Sequence, residues 1–167
     1  MIPRYQVYRE KIATEFASIR RAADKARQAF QNSKRGGQDE SFYLDSAALN
    51  AYGFYTGVER LFEWLTREFD EAVPGGSAWH CELLERMTIA VPDVRPAVIR
   101  VTTRDALEEY LRFRHIVRNS CACEFESGRI ADLVNSLPQV LQDLEADLEK
   151  FREFLNAAKR ADESPEQ

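Results

Sequence analysis

One apolar stripe near the start of the chain constrains the fold more than any other feature. The side chains Tyr5, Tyr8, Ile12, Phe16, Ile19, Ala23, Ala26 and Phe30 follow one another in steps of three and four without a break. A strand points successive side chains to opposite faces and cannot gather these on one side. A helix of about 3.6 residues per turn does so at once. The spacing predicts a long helix from Tyr5 to about Lys34, closed by Arg35-Gly36-Gly37-Gln38-Asp39, where glycine allows left-handed backbone.

The same period returns along the chain. Leu44, Ala48, Tyr52, Tyr55, Val58, Phe62, Leu65 and Phe69 mark a second helix from Ser41 to Ala72, and Leu49, Phe54 and Leu61 widen its stripe. Val73-Pro74-Gly75-Gly76-Ser77 breaks it. Ser77 is placed to cap a third helix over Ala78 to Ala90. Val91 to Pro96 reads as extended, because proline disfavours helix in the residue before it, and Ala97 to Val101 as a loop. A fourth helix is expected from Arg104 to Cys121. Thr103 gives it only an incomplete capping box, although Asp105 suits the positive helix start. A short helix from Gly128 to Leu137 then precedes a last one that Pro138 begins, with Leu141, Leu144, Leu148, Phe151 and Leu155 as its stripe. No stretch alternates like a strand, and no period of roughly 20–50 residues repeats. The expected fold is all-α: an antiparallel bundle of four main long helices plus one or two short ones. It forms a single domain over residues 1–160, with a disordered tail over 161–167. Helices of about 30 residues reach roughly 45 Å and leave lateral surface for a partner.

Composition narrows the function. At 44% hydrophobic, the 167 residues can build a core. A net charge of −5 argues against an unspecific nucleic-acid binder but leaves room for a local basic cleft. The first residues carry no apolar segment of a signal peptide, and no apolar run nears the ~18 residues of a membrane span. Cys81, Cys121 and Cys123 make no disulfide framework, so a reducing cytoplasm is expected. Cys121, Cys123 and His115 lack the further ligands of a zinc site, and Gly36-Gly37 and Gly75-Gly76 are not followed by the Gly-Lys-Ser/Thr of a phosphate loop. No cofactor or metal is expected.

The segment Tyr110-Leu111-Arg112-Phe113-Arg114-His115-Ile116-Val117-Arg118-Asn119 carries the chemistry. At about 100° per residue, Arg114 and Arg118 lie beside Leu107 and Leu111 at the edge of an apolar stripe. His115 and Asn119 lie one turn apart on the flank next to Arg118, with Arg112 close by. Guanidinium binds phosphate oxygens in pairs, imidazole moves protons near neutral pH, and an amide holds orientation. The competing reading is a solvated flank whose arginines pair with Glu108 and Glu109.

Arg118-Asn119, late in a helix with an aromatic lead-in, resembles the Arg-polar-x-x-x-His element of HEPN domains. Tyr52-Gly53-Phe54-Tyr55-Thr56-Gly57-Val58-Glu59-Arg60-Leu61-Phe62, Trp79-His80-x-Glu82-Leu83-Leu84 and Phe113 to Asn119 are similar to segments of the HepT-like branch, over most of residues 5–158. The resemblance implies a helical homodimer whose paired motifs cleave RNA without a metal. It also implies a toxin neutralised by a nucleotidyltransferase-type antitoxin that modifies a tyrosine beyond the motif histidine. On this basis Arg118, His115 and Asn119 are the expected catalytic residues and Arg114, Glu59 and Arg112 the supporting ones. Glu59 would orient Arg118 or His115; otherwise it pairs with Arg60 or Arg67. The sequence departs from the pattern at Cys123 and Phe125, where histidine and tyrosine are expected. Either His115 replaces the missing imidazole from one turn earlier, or the site is degenerate and the domain binds without cutting. An unrelated helical regulator is the third reading. His80 reads as packing or capping, and the aromatic run at 52–55 as core.

Overall fold

The computed structural model describes residues 4–70, 72–119 and 125–163. Among these residues five helices follow one another: α1 (Arg4–Ser33), α2 (Glu40–Phe69), α3 (Trp79–Arg86), α4 (Val101–Asn119) and α5 (Ser127–Glu163). Four are long and one is short, and the described residues hold no strand, only an isolated bridge between Val91 and Arg95. None of the described helices is long and apolar enough to cross a membrane.

Helices α1 and α2 form an antiparallel hairpin. Gly36 and Gly37 turn the chain at φ 68° and 110°, conformations that side chains with a Cβ resist. Tyr8 at the start of α1 packs edge-on against Trp64 and Phe69 at the end of α2, and its hydroxyl bonds Glu68. The stripe of α1 is buried from Tyr8 to Phe30. On α2, Ala47, Ala48, Ala51, Phe54, Tyr55, Val58, Leu61, Phe62 and Leu65 are buried. Leu49 is not: it is 65% exposed, because a turn of about 100° per residue carries it to the far side of that arc.

Helix α5 lies antiparallel to α1, with Glu145 paired to Arg20, and it meets α2 through Phe151 and Phe69. It does not break at Pro138, as the sequence led us to expect. An interior proline costs about 3 kcal/mol. Ile130, Leu133, Val134 and Leu137 before it and Val140, Leu141, Leu144 and Leu148 after it all bury on one face. Burial at roughly 1.5–3 kcal/mol per side chain outweighs the lost hydrogen bond. The helix runs to Glu163, so the tail expected over 161–167 begins inside it, and the rest lies outside the described residues.

Helix α4 crosses α2 and α5. Tyr110 packs edge-on against Phe54 at 5.0 Å and donates its hydroxyl to the Leu133 carbonyl at 2.7 Å. The missing half of its cap comes from another helix. Asp147 of α5 accepts the Arg100 backbone N–H at 3.0 Å and the Thr103 hydroxyl at 2.6 Å, and pairs with the Arg100 guanidinium. The helix therefore begins at Val101, three residues earlier than expected. Ser77, by contrast, caps nothing: the N-cap of α3 is Ala78, without a side-chain bond. Between α3 and α4, Arg95 buries its guanidinium against Asp70 with two bonds of 2.6 Å and donates to the carbonyls of Ile89 and Pro96.

Candidate functional site

The buried stripe of α4 runs through Leu107, Tyr110, Leu111 and Phe113 and ends on an arginine. Arg114 is 5% exposed and sits inside the core, not at its edge. Such a charge survives only with a partner. Glu59 of α2, also 5% exposed, supplies it: its Oε1 lies 3.2 Å from Arg114 Nη2. The other oxygen, Oε2, lies 2.6 Å from Nδ1 of His80 on α3. Nη1 of Arg114 closes the ring of contacts, 3.4 Å from His80 Nε2. Glu59, His80 and Arg114 thus join three helices through one buried polar network.

This corrects two expectations. Glu59 holds Arg114 and His80, not Arg118, and the arginines alongside it pair elsewhere, Arg60 with Glu15 and Arg67 with Glu63. His80 is neither a cap nor simple packing. Its ring stacks on Trp79 with centroids 3.7 Å apart and meets the ring of His115 edge-on at 5.9 Å. No local sequence signal could have shown this, because its partners stand 21 and 34 residues away.

His115, Arg118 and Asn119 are exposed on the last two turns of α4, directly beyond the network. Their spacing of three and four residues keeps them on one flank. Arg112 is exposed and tied to Glu108 and Glu109, so it takes the solvated role weighed for this flank. Tyr55, one turn before Glu59, stays protonated: burial first, and then the Glu59 charge, lift its hydroxyl far above the ordinary value.

Cys121 and Cys123 lie outside the described residues. Phe125, where the resemblance leads to tyrosine, is half-buried with its ring 5.7 Å from that of Phe113, and it has no hydroxyl to modify. Among the described residues, no group of three or more His, Cys, Asp or Glu is arranged to hold a metal ion.

A family model described as HepT-like protein matches residues 46–155, well over half of the chain, from the first turns of α2 to the later part of α5. The match spans Glu59, His80, Arg114, His115, Arg118 and Asn119. No curated protein and no solved structure matches the chain.

Proposed function

The chain belongs to the HepT-like family of HEPN domains, and from that premise we propose that it cleaves RNA as a homodimer, through the exposed flank of α4 and without a metal. The observation that carries this reading is the position of His115, Arg118 and Asn119, exposed together and backed by the buried Glu59–His80–Arg114 network. In the proposed reaction the ribose 2′-hydroxyl attacks the adjacent phosphorus and the 5′-oxygen leaves, giving a 2′,3′-cyclic phosphate. His115 moves the proton, Arg118 stabilises the charge growing on the phosphate oxygens, and Asn119 holds the scissile phosphate. Arg114 has its charge matched by Glu59 and supports the flank from behind. The flank is one-sided in a single copy, and a second copy would supply the opposite wall. Phe42 and Leu49, 70% and 65% exposed on α2, provide apolar surface for pairing. The biological role that fits is a toxin in the cytoplasm, with a nucleotidyltransferase-type antitoxin as its partner.

A second reading has its own observation. If the motif is counted from the buried Arg114 instead of Arg118, Asn119 falls at the histidine position, so Arg114 supplies no histidine there. This favours a catalytically degenerate module that binds the nucleotidyltransferase-type partner. Cleavage of structured and single-stranded RNAs, with EDTA present, separates the two. The ribonuclease reading expects wild type to cut, with His115→Ala and Arg118→Ala each losing roughly 10²–10³-fold while still folded. Sedimentation should show a dimer. Wild type that cuts nothing favours the binding module, and activity abolished by EDTA removes the metal-free mechanism.

A further inference from the structure

Four neighbours fix the ring of His80, and no step of the proposed reaction uses it. Trp79 covers one face, the His115 ring meets it edge-on, Glu59 takes Nδ1, and Arg114 faces Nε2. Guanidinium nitrogens only donate, so a hydrogen bond across the 3.4 Å between Arg114 Nη1 and His80 Nε2 requires Nε2 to accept. In that tautomer the ring proton sits on Nδ1, which faces Glu59 Oε2 at 2.6 Å. A second proton would set an N–H against the guanidinium, and among the described residues Glu59 is the carboxylate bonded to both groups.

We propose that His80 is a positioning residue, a neutral Nδ1–H imidazole that orients Arg114 and the ring of His115. The role rests on the reading of α4 as the phosphodiester-facing helix. Rotating or removing the His80 ring withdraws the acceptor from Arg114 and the surface against which His115 rests. A buried, locked ring thereby aims an exposed one.

The chain has two histidines, which makes the test direct. Ring nitrogens are observed by NMR on the full-length protein at pH 8, and His115→Ala assigns the two rings. His80 is expected to show the Nδ1–H tautomer. His80→Asn keeps an N–H donor where Nδ1 stood, so Glu59 retains its partner, while the acceptor for Arg114 and the ring beside His115 are lost. That variant should stay folded, shift the His115 ring signals, and lower kcat for RNA cleavage by about 10- to 100-fold with little change in KM. His80→Gln, which returns an amide near the Nε2 position, should recover part of the loss. An Nε2–H or averaged tautomer for His80, or unchanged His115 signals in folded His80→Asn, overturns the proposal. If wild type cuts no RNA, the ribonuclease reading falls, and the ring signals alone decide the role of His80.

Discussion

Two glycines one turn apart on α2 differ in their surroundings. A Cβ on Gly57 would lie 2.9 Å from Ile19 Cγ1 of α1, whereas nothing lies within 4 Å of one on Gly53. Alanine gains about 1 kcal/mol over glycine in a helix interior. Overpacking costs roughly 1–3 kcal/mol. Gly57→Ala is therefore expected to lower stability by about 1 kcal/mol net, and Gly53→Ala to raise it by up to about 1 kcal/mol, in urea unfolding. A Gly57→Ala protein more stable than wild type would contradict the close approach of α1 and α2. Single residues were the least legible part of the sequence. Leu49 has the right chemistry for the core and the wrong angle. Arg114 and Arg118 are one turn apart on one stripe, yet the first is inside and the second outside, because the core ends between them. Periodicity gives the direction of a side chain but not the depth of its neighbours.

Elements were read more reliably, since an apolar stripe and its stops are local. All four long helices stand where their stripes place them, and α3 is a shorter version of its expectation. The exceptions, Pro138 and the start of α4, were both decided by distant packing. Asp147→Ala tests the second. It removes the acceptor for the Arg100 N–H and leaves the buried Thr103 hydroxyl unpaired. The loss should be about 2–4 kcal/mol. Hydrogen exchange should quicken at the first amides of α4 before it does in α1. Equal exchange in the variant and wild type would mean that α4 holds its start without α5.

For the whole molecule, the all-α bundle was legible and the way its helices pin one another was not. The link between Asp70 and Arg95 ties the segment between α3 and α4 to the end of α2, with side-chain exposures of 5% and 0%. Nothing in either residue's neighbourhood announces a bond across 25 positions. Asp70→Asn leaves a buried guanidinium uncompensated and should cost about 3–5 kcal/mol in thermal or urea unfolding. A loss under about 1 kcal/mol would show that water reaches Arg95. The cap on α4 has a different consequence, one of timing. A ribosome delivers the chain in order, and Asp147 follows Arg100 by 47 residues. When the helix bearing His115 and Arg118 first emerges, the carboxylate that finishes its start has still to be synthesised. A chain truncated between the two carries those residues on an incomplete helix, so the candidate site is completed only once Asp147 has followed it out.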